Sequence, residues 1–361
     1  MNRVIAKINL KKYSANLKLI RNNIILPRTK LLAVLKANAY GHGIVDIARC
    51  ALKSGVVYLG VARLSEVITL RQNGIKAPIL LFNEPKIDFL SEVIDRNVVQ
   101  TVYSSEFASD LNAFARKKNK KVTVHIKIDT GMNRLGCGVE RGLAFVKEIM
   151  ELRNLYVEGI FTHFANAENP DSDYNTLQLE QFMSLLELLE ENHIRIPIKH
   201  AANSAATLNY PNSHLDMVRI GILSYKDILT LSSYLGHIRF VKKGSPISYN
   251  GEHVAQKDTY IGIVFCGYSD GIPVLLSNKG EVIINGRYYP IIGRICMDML
   301  MIDLGTDDPL PKLNSEVIFI GKENDKQITV DDICEETKQI PYELLCGFNE
   351  RAKRIYINLE T

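Results

Sequence analysis

Lys36 is the residue whose position points most directly to chemistry. It ends an apolar run, Leu31–Leu35, in which a charged side chain is unusual. One interpretation is a lysine whose ammonium group stays in water while its aliphatic stem packs on apolar neighbours. The other is a lysine that forms a Schiff base, because desolvation lowers the pKa of the amine and frees its lone pair to attack a carbonyl group. Both interpretations remain open on this residue alone.

Polar residues end several other apolar runs in the same part of the chain. Most of them are cationic or hydrogen-bonding, and such a set suits an anionic ligand such as a phosphate. By itself, His163 favours a hydrogen-bonded histidine of the core, whereas Arg219 suits an ion pair and an anion site equally. The residues at the run ends are Lys127, Asp129, His163, Asn203, Ser204 and Arg219.

The elements that would position these residues alternate from Lys30 to about Tyr225 between short β-branched runs and segments of helical period. Continuous hydrophobicity in the runs indicates strands that are buried on both faces, hence a parallel sheet. Eight such repeats in about 195 residues predict a closed (β/α)8 barrel, whose sites lie at the carboxyl ends of the strands. An open doubly wound sheet would require two of the strands to be false. The predicted strands are Leu31–Lys36, Tyr58–Ala62, Pro78–Asn83, Val98–Tyr103, Val122–Asp129, Val157–Phe164, Ile198–Ser204 and Met217–Ile222.

After about Leu231 the pattern changes to short strands separated by turn residues. Asn285-Gly286 between Glu281–Ile284 and Arg287–Ile292 is typical of a β-hairpin. One short helix is expected near Val330–Thr337. The sequence therefore predicts an α/β chain with a (β/α)8 TIM barrel over residues 1–230 and a mainly-β domain over residues 231–361.

Composition argues against several classes of protein. The 361 residues include 44 basic and 40 acidic ones, a formal net charge of +4, and the basic residues are scattered, so a nucleic-acid partner is not expected. The longest apolar stretches, such as Tyr260–Gly267, fall far short of the ~18 residues that span a bilayer. Arg3 and Lys7 interrupt any early apolar run of a signal peptide. The six cysteines form no CxxC pair, which argues against a metal site or a disulfide framework and favours the cytoplasm.

Residues 33–43, Ala-Val-Leu-Lys-Ala-Asn-Ala-Tyr-Gly-His-Gly, resemble the cofactor-lysine signature of the alanine racemase family, whose members are fold-type III enzymes that use pyridoxal 5′-phosphate. The similarity extends from about Asn9 to the C-terminus. The other matching blocks are Lys127–Gly136, Phe161–Ala165, Ala202–Ala206, Val218–Gly221, Gly267–Gly271, Gly293–Asp298 and Tyr342-Glu343.

The resemblance implies a pyridoxal phosphate site. Lys36 would carry the cofactor as a Schiff base, Arg219 would face its pyridine nitrogen, and His163 would contact that arginine. A guanidinium stays protonated, so the ring nitrogen would be less readily protonated than beside a carboxylate. The implied phosphate contacts are Tyr40, Ser204, Tyr342 and the backbone N–H groups of Gly221 and Ile222, with Asn203 as a further cofactor contact.

Racemisation needs a base on each face of the α-carbon. The resemblance implies Lys36 for the proton of the D-enantiomer and Tyr249 of the partner subunit for that of the L-enantiomer. A phenol with a reference pKa near 10 is a poor base, so nearby cations must stabilise its phenolate. Arg134, the backbone N–H of Met297 and Tyr268 of the partner subunit would contact the substrate. A carbamylated Lys127 would hold Arg134, and the alternative is a plain lysine paired with Asp129 or with a bound anion.

The implied activity is the interconversion of L-alanine and D-alanine for peptidoglycan, in a head-to-tail homodimer with composite active sites. A serine or mixed serine/alanine racemase of the vancomycin-resistance type shares the fold and normally follows a membrane domain. Tyr342 favours alanine, because a phenol beside the pocket leaves less room for a hydroxyl. A pyridoxal phosphate carrier without turnover would lack the second domain and Tyr249. Lys226, Asn250 and His253 depart from the usual pattern, near the expected substrate access route and domain junction.

Overall fold

All eight strands predicted between residues 30 and 225 are present. The computed structural model describes residues 3–358, and in it neighbouring strands pair in parallel in chain order, with the first strand also pairing with the eighth. The seventh and eighth strands meet through two backbone bonds of 3.0 Å, from the N–H of Asp216 to the carbonyl of Lys199 and from the N–H of Arg219 to the carbonyl of Ala202. The strands therefore form a nearly closed barrel, as predicted. They are Lys30–Val34, Tyr58–Val61, Ile79–Leu81, Val99–Val102, Val122–Asp129, Leu155–Phe161, Ile198–His200 and Met217–Ile220, with a short addition at Cys137–Gly138.

Helices follow most of these strands, as the alternating pattern predicted. In the longest, Asp173–Glu191, the residues Phe182, Leu185, Leu186 and Leu189 recur at helical spacing and are all buried. Burying one such side chain stabilises the fold by about 2 kcal/mol relative to leaving it exposed. The other helices in the first 225 residues are Leu10–Leu19, Ile44–Lys53, Leu64–Gln72, Leu90–Asp95, Ser105–Lys117, Gly142–Glu151 and Ser204–Asn209.

Contacts divide the chain into two units at positions that differ from the predicted boundary at residue 230. The barrel unit comprises Ser14–Ala39 and Ile44–Ser224, and the other unit contains the chain up to Tyr13, Tyr40–Gly43 and the chain from Tyr225 onward. The N-terminal segment belongs to the second unit because Val4–Asn9 pairs with Leu229–Val241 and with Ala352–Ile357. Strand pairing across more than 200 residues leaves no signature in local periodicity.

The second unit contains a nine-stranded sheet and a separate two-stranded sheet. The predicted hairpin is confirmed, with Asn285 and Gly286 both at positive φ, as a type I′ turn requires. The helix predicted near Val330–Thr337 is confirmed with those bounds, and a second helix spans Pro341–Gly347. The strands are Val4–Asn9, Leu229–Val241, Thr259–Val264, Glu281–Ile284, Arg287–Ile292, Leu300–Gly305, Glu316–Glu323, Lys326–Ile328 and Ala352–Ile357, with Pro246–Ile247 and His253–Val254 in the small sheet.

Three further observations bear on class and stability. Within residues 3–358, no helix combines the length and the apolar character needed to cross a bilayer. Over the same range, no group of three or more His, Cys, Asp or Glu side chains is arranged to hold a metal ion. All six cysteines are free thiols, so they contribute no cross-link to the fold.

Candidate active site

Arg219 is the most constrained polar side chain at the carboxyl end of the barrel. Its guanidinium is buried and donates to the carbonyl oxygens of Thr162 (2.8 Å), Ala201 (2.9 Å) and His200 (3.1 Å). It also meets the Nδ1 atoms of His200 at 3.1 Å and of His163 at 3.0 Å. Burial lowers the pKa of Arg219 to about 9, so the guanidinium still carries its proton at neutral pH. Among residues 3–358 no carboxylate pairs with it, which is unusual for a buried cation.

The charges of four cationic side chains act on His163, and one of these side chains, Arg219, contacts its imidazole directly. Burial is the main cause that takes the pKa of His163 well below its usual value, and the four cations lower it further. The imidazole is therefore neutral at pH 7, and its Nδ1 can accept the hydrogen bond from Arg219. Such a concentration of positive charge favours an anion bound in its midst. The four cations, in decreasing order of their effect, are Arg219, Arg134, Lys127 and Lys36.

Lys127 and Arg134 flank a tight loop that follows the fifth barrel strand. The carboxylate of Asp129 holds this loop by accepting hydrogen bonds from the backbone N–H groups of Gly131 (2.9 Å), Asn133 (3.1 Å) and Arg134 (3.1 Å). The side chain of Arg134 is exposed, whereas Lys127 is buried. Desolvation, followed by the charge of Arg134, lowers the pKa of Lys127 to about 8. Far more of this amine is therefore uncharged near neutral pH than in an ordinary lysine.

Lys36 lies just beyond the first barrel strand, which ends at Val34. The expectation of a desolvated amine at the end of the apolar run is wrong for the described structure, since burial stops at Leu35 and the side chain of Lys36 is exposed. The strand ends two residues before the predicted position because the backbone turns sharply at this point. The charge of Lys36 nevertheless lowers the pKa of both Lys127 and His163. This effect indicates that Lys36 lies near the other cationic side chains.

The turn after Lys36 is left-handed over four consecutive residues, Ala37–Tyr40, with φ between 50° and 55°. This conformation costs about 1–2 kcal/mol for each residue that carries a Cβ, so it persists only where contacts compensate. Glu66 accepts a hydrogen bond from the N–H of Ala37 at 2.6 Å, and the side chain of Asn38 accepts one from the N–H of Ile44 at 2.8 Å. These contacts fix the backbone that carries the lysine.

Ser204, Gly221, Asn203 and Ile222 lie after the seventh and eighth strands. The hydroxyl of Ser204 is buried and accepts a hydrogen bond from the N–H of Gly221 at 2.9 Å, which brings the two segments together. The Asn203 side chain caps the helix Ser204–Asn209 by accepting from the N–H of Ala206 at 2.9 Å. This contact gives Asn203 a structural role in addition to its predicted one.

Tyr40 and Tyr342 belong to the second unit and lie close to each other there, with ring centroids 5.9 Å apart. Tyr40 also packs on Tyr225, at 4.9 Å. Burial raises the pKa of Tyr40, so its phenol remains a hydrogen-bond donor at any physiological pH. Gly41 follows at φ 79°, and a Cβ there would overlap the carbonyl of Leu345, so only glycine fits. The pair of tyrosines thus rests on a closely packed backbone.

Tyr249 is displayed on the surface of the second unit, with 65% of its area exposed. Its neighbours Ser248 and Asn250 have positive φ values of 65° and 61°. The hydroxyl of Ser248 donates to the carbonyl of Arg294 at 2.5 Å, which supports this strained turn. A large exposed aromatic side chain held on a strained turn is a common feature of functional surfaces.

Tyr268 and Met297 lie on two loops of the second unit that are joined by backbone bonds. The N–H of Tyr268 donates to the carbonyl of Cys296, and the N–H of Ser269 donates to that of Met297, both at 3.1 Å. Both side chains are exposed, Tyr268 by 44% and Met297 by 52%. The structure therefore brings together two of the predicted substrate contacts.

The sequence analysis did not predict the buried polar residues that connect to Arg219 by hydrogen bonds. His200 and His125 lie on buried strands and Glu158 on a third, and together they extend from Arg219 through the barrel. A histidine in each of two β-branched runs was a visible signal, since a buried imidazole needs a hydrogen-bonding partner. Glu66, which holds the turn after Lys36, gave no such signal because it lies on an ordinary polar helix surface.

Comparisons with known proteins agree with this arrangement. A family model described as the N-terminal domain of alanine racemase matches residues 8–228, and one for the C-terminal domain matches residues 228–356. An alanine racemase of Desulforamulus reducens is 38% identical over 98% of both chains. The solved structure of alanine racemase from Clostridium difficile 630 superposes with a TM-score of 0.92 at 35% identity, over 98% of this chain and 96% of that one.

A further solved structure, that of alanine racemase from Bartonella henselae with covalently bound pyridoxal phosphate, superposes with a TM-score of 0.88 at 28% identity, over 98% of this chain and 99% of that one. The two family models together match most of both units, from the barrel that carries Lys36 to the second unit that carries Tyr249. On this agreement of sequence and fold, the chain belongs to the alanine racemase family.

Proposed function

We propose that this protein interconverts L-alanine and D-alanine with Lys36 and Tyr249 as its two bases. Membership of the family makes it a racemase, an isomerase that depends on pyridoxal 5′-phosphate. The observation that carries the proposal is the combination of Lys36 on a fixed turn with the cationic cluster around His163.

The residues of the barrel unit fit pyridoxal phosphate. Lys36 offers a primary amine for the aldehyde. Within residues 3–358 the Nε–H of Arg219 has no hydrogen-bond acceptor, whereas both of its Nη atoms are engaged, so one N–H of a buried guanidinium remains for a ring nitrogen. The net positive charge of the cluster suits a phosphate dianion and a substrate carboxylate.

Each side chain then has a defined task. Bound pyridoxal phosphate supplies an electron sink that acidifies the α-proton of an amino acid. Arg219 would donate a hydrogen bond to the ring nitrogen without transferring a proton, which would keep that sink moderate and disfavour side reactions. Lys36 holds or releases the proton on one face of the α-carbon. The phosphate contacts are assigned by the family pattern to Tyr40, Ser204, Tyr342 and the backbone N–H groups of Gly221 and Ile222, and Asn203 is a further cofactor contact.

The substrate contacts are part of the same proposal. Arg134 binds the substrate carboxylate, with the N–H of Met297 as a second donor and Tyr268 of the partner subunit beside the access route. The exposed position of Arg134 and the shared loops of Tyr268 and Met297 support these roles. In this proposal, different residues bind the cofactor phosphate, bind the substrate carboxylate and transfer the α-proton.

A homodimer completes the site in this proposal, with Tyr249 of the partner subunit as the base on the opposite face. Support comes from the 65% exposure of Tyr249 and from further exposed apolar side chains in the same unit, among them Val254 and Met299. We also propose a cytoplasmic location, consistent with the free thiols, and a role in supplying D-alanine for peptidoglycan.

Lys127 is expected to form a carbamate with dissolved CO2. Carbamate formation requires the neutral amine, and a pKa of about 8 leaves far more of it at pH 7 than in an ordinary lysine, whose pKa is about 10.4. The ammonium group of Lys127 repels the guanidinium of Arg134, whereas a carbamate anion at the same place would attract it. Carbon-13 NMR in labelled bicarbonate should show one carbamate resonance.

That resonance should vanish in Lys127→Met and persist in the surface control Lys147→Met. Its rate of formation at constant dissolved CO2 should fall about tenfold for each pH unit below 7, since the neutral fraction falls in that proportion. The unfolded chain binds the Lys127 proton more tightly than the folded one, so without CO2 the free energy of unfolding should rise with pH between about 8 and about 10.4. A resonance that survives Lys127→Met would refute the assignment.

Racemisation of L-alanine and of L-serine by the cofactor-loaded protein tests the proposed function, with chiral chromatography as the measurement. We expect alanine to react faster, by about tenfold to a hundredfold, because an apolar pocket rejects one added hydroxyl only weakly. Comparable rates, or a preference for serine, would favour a serine racemase and direct attention to Lys226, Asn250 and His253. Binding of the cofactor without any turnover would favour a carrier protein.

A further inference from the structure

A line of hydrogen bonds runs through the barrel from Arg219 on the eighth strand to the carboxylate of Glu158 on the sixth. The Nη1 of Arg219 meets Nδ1 of His200 at 3.1 Å, Nε2 of His200 meets Nδ1 of His125 at 2.9 Å, and Nε2 of His125 meets Oε2 of Glu158 at 3.3 Å. The phenol of Tyr58 donates to the same Oε2 at 2.5 Å. Both imidazoles are fully buried and Glu158 is half-buried, so the line leads from the core outward.

The chemistry of the end groups gives this line a direction. A guanidinium can only donate, so Nδ1 of His200 must accept and the ring proton of His200 lies on Nε2. The Nε2–H of His200 then donates to Nδ1 of His125. Nδ1 of His125 therefore carries no proton, and the ring proton of His125 also lies on Nε2. The last bond ends on Glu158, which as a carboxylate can only accept. Every bond is satisfied when both imidazoles are neutral and both carry the proton on Nε2.

A second proton on either imidazole would place two donors face to face. Burial is the main cause that lowers the pKa of both His125 and His200, in agreement with this arrangement. The hydrogen bond from His125 holds the pKa of Glu158 below its usual value, so the terminal charge persists at neutral pH. Lys30 is the other charged group that affects both His125 and Glu158.

The surrounding packing leaves the rings little freedom. A Cβ at Gly159 would overlap the imidazole of His125, so the glycine makes room for that ring. Phe161 stacks on the imidazole of His200 with centroids 4.6 Å apart and planes within 10°. The guanidinium carbon of Arg219 lies 5.3 Å from the centre of the same phenyl ring. Side chains from four different strands thus hold one conformation.

We propose that His200, His125 and Glu158 are positioning residues that fix the orientation of Arg219 through one set of histidine tautomers. The guanidinium has no carboxylate partner of its own within residues 3–358, and Glu158 supplies the negative end of the line at a distance. Because both Nη groups are held, the plane of the guanidinium is fixed, and so is the direction of its Nε–H bond. The ring nitrogen of the cofactor would accept a hydrogen bond from this Nε–H. This role of Arg219 rests on the proposed function, whereas the line of bonds does not.

Nitrogen-15 NMR of labelled histidine in the protein without added cofactor tests the line directly. We expect His125 and His200 both to be neutral Nε2–H tautomers throughout the pH range in which the protein stays folded. Glu158→Gln can present an amide donor to His125, so we expect the proton to move to Nδ1 in His125 and, in turn, in His200. The Nδ1–H of His200 would then face a donor of Arg219, so this change should displace the guanidinium from its fixed orientation. Tyr58→Phe, which removes only the other bond to Glu158, should leave both tautomers unchanged.

A second control is Glu84→Gln, since Glu84 is a half-buried carboxylate held by Tyr103 and Ser104, away from this line. If Glu158→Gln does not fold, Glu158→Asp keeps the charge but withdraws the acceptor by one methylene. The Nε2–H signal of His125 is then expected to shift, because its hydrogen bond weakens while the tautomer stays the same. Wild-type histidine signals in the Glu158 variant that folds, or an equal change in Glu84→Gln, would overturn the proposal.

Kinetics of the cofactor-loaded protein separate the two proposals. We expect Glu158→Gln to lower kcat about tenfold with little change in KM, because a misdirected guanidinium weakens an interaction needed in the transition state. A tautomer change without any loss of kcat would remove the positioning role. A wild-type protein that shows the predicted tautomers but racemises nothing would contradict the proposed function and leave the hydrogen-bond line intact.

Discussion

Lys36→Ala is expected to abolish covalent attachment of pyridoxal phosphate and to lower racemisation by about 10⁴-fold or more. The substitution removes both the amine that binds the aldehyde and one of the two bases, and a positioned base alone contributes about 10²- to 10⁴-fold. Borohydride reduction of the loaded protein followed by peptide mapping should locate the cofactor on Lys36 in the wild type. No labelled lysine should appear in the variant.

Lys199→Ala is a suitable control, because Lys199 lies on the seventh barrel strand but pairs with Glu190 at the surface. It should keep the label on Lys36 and the wild-type rate. The left-handed turn after Lys36 is held by backbone bonds that do not involve the lysine amine, so Lys36→Ala should fold normally. A label on another lysine of Lys36→Ala, together with retained activity, would show that the assignment is wrong.

Tyr249→Phe is expected to leave cofactor binding intact and to slow proton removal from L-alanine by about 10²- to 10⁴-fold. Since the equilibrium between enantiomers is unaffected by any enzyme, full racemisation must slow equally in both directions. The informative measurement is exchange of the α-proton in heavy water. D-alanine should still exchange through Lys36 without inversion, whereas L-alanine should exchange slowly.

The exposed Tyr288 of the same unit provides a control, as Tyr288→Phe should affect neither exchange rate. Equal exchange of both enantiomers by Tyr249→Phe would contradict the assignment of two bases. Mixing the Lys36→Ala and Tyr249→Phe proteins tests the composite site, because a mixed dimer would hold one intact site. Random exchange of subunits should then restore about a quarter of the wild-type rate. A mixture as inactive as its components would argue against a base from the partner subunit.

Local pattern was sufficient to predict much of this protein. Continuous apolar runs predicted eight strands at the positions where they occur, because a strand buried on both faces must be apolar throughout. The hairpin at Asn285-Gly286 and the helix Val330–Thr337 were predictable because turn and cap preferences act over a few residues. The block around Lys36 identified the family, since one short segment carries both the lysine and the turn that presents it.

Only the tertiary structure decided how distant segments combine. Val4–Asn9 joins the C-terminal sheet, and His200, His125 and Glu158 form one line, through contacts between strands far apart in the chain. Periodicity reports which face of an element is buried, but not the element that covers it or the side chain opposite. Glu66 likewise holds the turn after Lys36 from a helix 29 positions away. Local sequence thus determined the strands, the helices and the identity of the reacting lysine. Three-dimensional packing determined which polar groups fix the turn after Lys36 and the guanidinium of Arg219.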